Sequence, residues 1–257
     1  MAWRRPHFDL TNTEPASRVY RAIAHLARNL VPVFAKTTWT GGDNVPQSGP
    51  VIVIANHIGN FDPIVLGQFL IWNGRWPRFL GKSDIWKVPV LGWVARQCEQ
   101  IPVYRNTDRA GESLVNAERA LAEGKMVAIY PEGTITADPD GWPMSGRRGA
   151  ASLALKTGAP VLPVAQTGAE KVLGGRRISL KGLFGRRKDV QVMAGPLLDL
   201  SRWEGREPTK EVLDEVTTYF LDTLRDMRAE LTGLEPPKGR FDLRQGRRVE
   251  IEADRGE

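Results

Sequence analysis

Val51-Ile52-Val53-Ile54-Ala55-Asn56-His57-Ile58-Gly59-Asn60-Phe61-Asp62-Pro63 is the stretch that decides the fold. Five consecutive apolar residues, rich in β-branched side chains, read as a strand buried on both faces. The run stops at Asn56-His57. Gly59 and Asn60 bring turn chemistry. Asp62-Pro63 reads as a helix start, with a carboxylate at the N-cap and proline at the first helical position. The apolar residues from Pro63 to Trp72 continue as a helix. A histidine thus stands in a loop between a buried strand and a helix, with an aspartate five residues on. In open α/β sheets, ligands bind at such carboxyl ends of strands. A loop that folds back lets Asp62 accept from one imidazole nitrogen and leaves the other to take a proton. The bland reading has Asp62 as a cap only and His57 as a surface loop residue.

Outward from this stretch, strands and helices alternate. Asn73-Gly74 breaks the chain after the helix, and Arg78 to Gly81 reads as a short strand followed by Lys82. Gly81-Lys82-Ser83 looks like the end of a phosphate loop, but the glycine that motif needs is Trp76, so a P-loop is excluded. Residues 84–98 hold Trp86, Val90, Leu91 and Trp93, readable as a lipid-facing patch or as core. Gln100 to Tyr104 is a strand with Arg105 at its end, and Asp108 can cap a helix running to Glu123. Met126 to Tyr130 is a buried strand that ends in Pro131-Glu132-Gly133-Thr134. A helix from Arg147 to Thr157 and a strand from Pro160 to Ala165 follow. After residue 189 come a strand from Val190 to Ala194, a capping box at Ser201-Glu204, and a long helix from Thr209 to Leu231 with Val212, Val216, Phe220, Leu224 and Met227 on one stripe.

This alternation predicts an α/β fold, a mostly parallel central sheet with helices on both faces. His57, Arg105 and Glu132 then each lie just past a strand end. Upstream, Val19, Ile23, Leu26, Leu30 and Phe34 recur at helical spacing among basic residues. This pattern suits a lipid surface or packing on the chain's own domain. The organisation expected is a basic amphipathic helix region over residues 1–35, one α/β domain over 36–231, and a mobile tail over 232–257, where apolar periodicity is lost.

Composition sets the outer bounds. The 257 residues carry a net charge of +6, which favours acidic partners. Cys98 is the sole cysteine, so no internal disulfide forms. With three histidines besides, no metal-ligand cluster is legible, and no metal is expected. The N-terminus lacks a signal-peptide core and no apolar run is long enough for a transmembrane helix. Lys171 to Lys188 holds seven cations, no acid, and interleaved Ile178, Leu180 and Phe184. It suits a solvated hairpin or contact with anionic lipid. No recognised nucleic-acid motif accompanies the charge, so no nucleic-acid partner is expected.

Four short blocks in a fixed order carry a resemblance. They are Asn56-His57 through Asp62, Glu99 through Arg105, Tyr130-Pro131-Glu132-Gly133-Thr134-Ile135, and Val161-Leu162-Pro163-Val164-Ala165. Over roughly residues 36 to 200 the chain resembles the lysophosphatidate acyltransferases of glycerolipid synthesis, with their N-H-x-x-x-x-D and F-P-E-G-T-R blocks. The resemblance implies a glycerol-3-phosphate acyltransferase-like fold with His57 as general base and Asp62 orienting it. It also implies substrate contacts from Asn56, Lys82, Arg105, Glu132, Gly133 and Thr134. Two positions depart from the pattern. Glu99 replaces a usual glycine, and Ile135 replaces the arginine that closes the third block. Lys82 and Arg105 would then carry more of the phosphate, or Arg147 or Arg148 would substitute.

The residues fit that chemistry independently. Transfer from a thioester to a hydroxyl needs a base and oxyanion donors. A covalent acyl-enzyme would need a positioned serine or cysteine, and no G-x-S-x-G elbow exists. The expected mechanism is therefore direct transfer, and the resemblance implies acyl-CoA or acyl-carrier protein as donor and lysophosphatidate as acceptor, giving phosphatidate. The expected setting is the cytoplasmic face of an anionic membrane, with peripheral attachment and no cofactor. Three other readings stay open: a different lysophospholipid or glycolipid acceptor, a non-catalytic lipid-surface binding protein, and a hydrolase using the same dyad on water.

Overall fold

The apolar run is β2 (Val51–Ala55), in the middle of a seven-stranded sheet and fully buried. This computed structural model describes residues 7, 8, 11–104 and 112–250. The remaining strands of the sheet are β1 (Ala35–Thr40), β3 (Pro77–Lys82), β4 (Ile101–Val103), β5 (Met126–Ile129), β6 (Val161–Thr167) and β7 (Lys188–Ala194), in the spatial order β1-β7-β6-β2-β5-β3-β4. Strands β6, β2, β5, β3 and β4 are parallel neighbours. β7 is antiparallel to β6 and parallel to β1, so these two reverse the direction at one edge. The expected mostly parallel sheet is present. Its five co-directional strands bring the residues after β2, β5, β6, β3 and β4 to one rim.

Alternation along β2 divides the core. Val51, Val53 and Ala55 pack with α2 (Asp62–Trp72), while Ile52 and Ile54 pack with α4 (Glu112–Ala122), α5 (Gly149–Thr157) and α7 (Lys210–Thr232). α2 has no side-chain cap. Its Val65, Leu66, Phe69 and Leu70 are essentially inaccessible. At roughly 1.5–3 kcal/mol for each buried side chain, packing outweighs the ~1 kcal/mol a cap supplies. The α7 stripe expected from the sequence is buried throughout. Thr209 caps this helix by accepting from the Val212 amide, whereas Ser201 to Trp203 is only a 3₁₀ turn. Cys98 is buried, and burial pushes its thiol up to about 11, which suits packing and not nucleophilic work.

Two expectations are corrected. The first concerns the amphipathic helix α1 (Arg18–Phe34). Its buried residues are Tyr20, Ala24, Val31 and Pro32, and the Tyr20 hydroxyl donates to the Pro77 carbonyl at 2.6 Å. Residues 18–34 are thus integral to the domain. Ile23, Leu26 and Leu30, on the stripe that suited either a lipid surface or the chain's own domain, are exposed. Beside α1 lies α3 (Pro89–Gln97), whose Gln97 carbonyl accepts from Ser17, and there Val90, Leu91 and Trp93 are exposed as well. The second concerns the region read as a tail. Arg240–Asp242 (β8) and Arg247–Val249 (β9) form an antiparallel hairpin. It docks on the loop after β5, with the Ser145 amide donating to the Phe241 carbonyl at 2.8 Å. The Lys171–Lys188 run is not a hairpin. It holds α6 (Glu170–Leu173) and a 3₁₀ turn at Leu180–Leu183, with Ile178, Leu180 and Phe184 exposed.

Glu99 is the one residue other than glycine with positive φ among the described residues, at 54°. This is why a glycine is usual in the resembled block: the left-handed region costs a side chain roughly 1–2 kcal/mol. Here Glu99 is tied down by Arg78 Nη2 at 2.8 Å and Lys125 Nζ at 3.0 Å.

Candidate active site

Asp62 is the first residue of α2 and not its cap. Its Oδ2 faces back into the loop and accepts from His57 Nδ1 at 2.8 Å, the Ile58 amide at 2.6 Å and the Gly59 amide at 2.8 Å. The turn at Gly59-Asn60 makes this possible, because Gly59 passes against the backbone of Glu170, where a Cβ would lie 2.7 Å from its Cα. With Oδ2 committed as an acceptor, His57 Nδ1 carries the proton and Nε2 presents a lone pair. Burial raises the Asp62 carboxyl above its ordinary range, opposed first by the His57 hydrogen bond and then by the two loop amides. The helix-capping reading of Asp62 does not survive this geometry.

The His57 backbone is gripped on both sides. Its amide donates to Glu132 Oε1 at 3.0 Å, and its carbonyl accepts from the Thr136 amide at 2.7 Å. Tyr130 stacks on the imidazole with centroids 4.0 Å apart, which fixes the ring plane. The Tyr130 hydroxyl and Asp62 Oδ1 are buried with no hydrogen-bond partner among the described residues.

Two residues expected to touch substrate make hydrogen bonds within the protein. Asn56 is fully buried. Its Oδ1 accepts from the Gln166 amide at 2.8 Å, its Nδ2 donates to the Gln166 carbonyl at 3.0 Å, and Gln166 Nε2 returns to the Asn56 carbonyl. This locks β2 to β6 just below His57. Glu132 is only 2% exposed and is spent on the amides of His57 and Met144. Burial pushes its carboxyl up to about 8 despite the two amides. Asn56, next to His57 at the end of β2, and Glu132, past the end of β5, thus hold the His57 loop through hydrogen bonds within the protein.

Gly133 and Thr134 are half-buried on the rim. Gly133 has φ +72°, and a Cβ there would sit 2.8 Å from Arg147 Cδ. Arg147 thus lies directly against the Pro131-Glu132-Gly133-Thr134 turn. Arg148 points elsewhere and is held by Asp214, with Nη2 to Oδ2 at 2.8 Å. A second arginine, Arg176, reaches the Ile135 carbonyl at 3.5 Å from the loop whose Gly174 carbonyl accepts from the Asn60 amide. The turn that ends in Ile135 thus has Arg147 against Gly133 and Arg176 at the Ile135 carbonyl. Lys82, at the end of β3, is on the same rim but exposed and paired with Asp84 at 2.6 Å. Arg105 lies outside the described residues, as does Asp108.

Sequence reasoning missed Gln166, Tyr130, Thr136 and Arg176. No local motif marks Gln166, which sits mid-strand. Tyr130 was visible as the aromatic before the Pro131-Glu132 pair, but its stacking on His57 is a tertiary contact.

The rim of a mostly parallel sheet thus presents an imidazole oriented by a carboxylate, with arginines on the same side. The acyltransferase family profile matches residues 36–167, and the chain belongs to that family. It is 29% identical over 191 residues to a 1-acyl-sn-glycerol-3-phosphate acyltransferase of Borreliella burgdorferi, covering 72% of each protein. It is 30% identical over 142 residues to a chloroplastic 1-acyl-sn-glycerol-3-phosphate acyltransferase of Brassica napus, over 54% of this chain and 40% of that protein. This chain thus spans about two-fifths of the length of the chloroplastic relative. In fold it is similar to the crystal structure of a 1-acyl-sn-glycerophosphate acyltransferase from Thermotoga maritima. That match has a TM-score of 0.63 at 22% identity and covers 85% of this chain and 81% of that one.

Proposed function

We propose that this protein transfers a fatty acyl group from a thioester donor, acyl-CoA or acyl-carrier protein, to the free hydroxyl of lysophosphatidate, giving phosphatidate. The observation that carries the reading is the His57 Nδ1 to Asp62 Oδ2 contact of 2.8 Å, reinforced by two loop amides on the same oxygen. Nε2 removes the hydroxyl proton as the oxygen attacks the thioester carbonyl. Asp62 stabilises the imidazolium so formed. The tetrahedral intermediate collapses, the C–S bond breaks, and His57 returns the proton to the departing sulfur. Arg147 and Arg176 beside the Gly133 turn, with Lys82 and Arg105, are the groups assigned to the acceptor's phosphate. The relatives named as acting on 1-acyl-sn-glycerol-3-phosphate support the same acceptor.

No helix among the described residues is long and apolar enough to cross a membrane. The exposed apolar residues of α1 and α3, with Arg18 and Lys36 alongside, support peripheral attachment to an anionic membrane, which this reading sets at the cytoplasmic face. Ile135 favours a second reading, an acceptor with a different head group. Purified protein incubated with labelled acyl-CoA or acyl-carrier protein and a panel of acceptors separates these. Phosphatidate is the expected product. Equal use of monoacylglycerol would reject the phosphate assignment, and free fatty acid without acceptor would identify a hydrolase.

A further inference from the structure

We infer that the C-terminal hairpin is part of the machinery that positions His57, with Arg248 as the positioning residue. The hairpin meets the loop between β5 and α5 through the Ser145–Phe241 backbone bond and through an ionic fork. Arg248 Nε and Nη2 donate to Asp138 Oδ2 and Oδ1 at 2.7 and 2.8 Å, and Nη2 also reaches Asp140 Oδ2 at 2.7 Å. The Asp138 side chain is 1% exposed and Arg248 29%, so this pair is far better shielded than an ordinary surface contact. Asp138 is the organiser of its loop. Its Oδ1 accepts from the Asp140 amide at 2.9 Å and the Trp142 amide at 3.3 Å, and its carbonyl accepts from Gly141.

From this turn the connections run inward to the site in two short paths. Thr136 Oγ1 donates to the Trp142 carbonyl at 2.7 Å and the Thr136 amide holds the His57 carbonyl. The Met144 amide donates to Glu132 Oε2, whose other oxygen holds the His57 amide. The Thr136–Trp142 and Met144–Glu132 bonds are buried, and the Glu132–His57 bond is partly so. The outer side is bolted in the same way. Arg240 of β8 binds Asp222 of α7 at 2.7 Å, and Arg228 of α7 stacks on Trp142 at 4.2 Å while donating to the Asp140 carbonyl. The loop that grips His57 is therefore clamped between the dyad and the hairpin. If the fork opens, the Asp138 carboxylate is left buried with backbone donors only, and the loop must rearrange to hydrate it. Such a rearrangement moves Thr136 and Met144, and with them the imidazole.

The inference rests on the reading of His57 as general base, and the test separates the two. Three variants are made in the full chain: Arg248→Ala, Arg248→Lys and Asp138→Asn. The last keeps Oδ1 for the Asp140 and Trp142 amides but opposes an NH₂ to the guanidinium. Arg248→Ala and Asp138→Asn are expected to lower kcat about 10–100-fold, the scale of a displacement of about 1 Å in a catalytic group. KM for donor and acceptor should stay within about threefold. Arg248→Lys, with charge but no fork, should fall between them and wild type, and the double variant should be no worse than either single one. A second readout needs no substrate. The protein has three histidines, so the imidazole ¹⁵N resonances of His57 can be assigned with His57→Ala, and they are expected to shift or broaden in both fork variants. Wild-type kcat and an unmoved His57 resonance in the variants that fold would overturn the inference. A wild type without acyl transfer whose His57 signal still responds to Arg248→Ala would refute the function and leave the positioning intact.

Discussion

Asp62→Asn separates what Asp62 does by charge from what it does by geometry. In the wild type, Oδ2 accepts three donors while Oδ1 has no partner among the described residues. An asparagine can place its oxygen or its NH₂ where Oδ2 was. Placing the NH₂ there would set it against the Ile58 and Gly59 amides and leave two buried donors unsatisfied, at roughly 1–3 kcal/mol each. The oxygen therefore takes the Oδ2 position, and His57 keeps its tautomer and orientation. What disappears is the negative charge beside the imidazolium that forms during proton transfer. A hydrogen bond to a charged group contributes roughly 1.5–3 kcal/mol and a neutral one roughly 0.5–1.5. The loss of about 1–2 kcal/mol corresponds to a fall in kcat of about 5–30-fold. His57→Ala, which removes the base, should cost about 10²–10⁴. Stability moves the other way. Burial raises the Asp62 carboxyl, so its folded form carries a cost that grows as pH rises through that raised value. Asparagine is free of that cost, and the thermal midpoint at neutral pH should be equal to or above wild type. The assay is thiol release from acyl-CoA at saturating acceptor, with calorimetry on the same samples. A variant that transfers at the wild-type rate would return Asp62 to a structural role. A fall as deep as His57→Ala would show that the tautomer is lost and the amide oriented the other way.

The remaining expectations are narrower. For Glu132, raised from 4.5 to about 8, the folded state binds the proton more tightly than the unfolded one, so wild-type stability is fully present below about 4.5 and declines as pH rises through about 8. Glu132→Gln cannot titrate, and chemical denaturation should show its stability relative to wild type improving by a few kcal/mol between pH 5 and pH 9; a constant difference would mean that Glu132 is not perturbed. Tyr130→Phe removes a buried hydroxyl without a partner and keeps the ring on His57, so stability should be unchanged or higher by about 1 kcal/mol and kcat close to wild type; a large loss of kcat would mean the hydroxyl engages the substrate. Arg147→Ala should raise the KM for lysophosphatidate about tenfold while the donor KM stays put, whereas Arg148→Ala, already held by Asp214, should change neither beyond twofold. Leu26→Glu with Leu30→Glu should weaken sedimentation with anionic vesicles and leave the fold intact, because both side chains are exposed; unchanged sedimentation would remove α1 from the membrane face.

What the sequence determined by itself was whatever is local or periodic. A run of five mostly β-branched apolar residues closed by turn chemistry reads as a doubly covered strand, and the alternation around it sets the sheet and its layers. His57 and Asp62 are five residues apart, so a single turn brings them together and their pairing was legible. The α7 stripe was legible for the same reason, since helical period alone chooses the buried face when one face is plainly apolar. In α1 both faces carry apolar residues, and periodicity marked Ile23, Leu26 and Leu30 without deciding between a lipid surface and the domain; the neighbours α2 and α3 decided that Tyr20, Ala24 and Val31 go inside and leave that stripe exposed. The tertiary structure alone assigned Asn56 and Glu132 to holding the loop, because their partners Gln166 and Met144 are 110 and 12 residues away. It also distinguished Arg147 from Arg148, adjacent residues that a sequence cannot rank, by packing one on Gly133 and pairing the other with Asp214. The hairpin after residue 239 has no apolar pattern to announce it. It is held by ion pairs to Asp222, Asp138 and Asp140, and charges separated by over a hundred residues find each other only once the core has placed them.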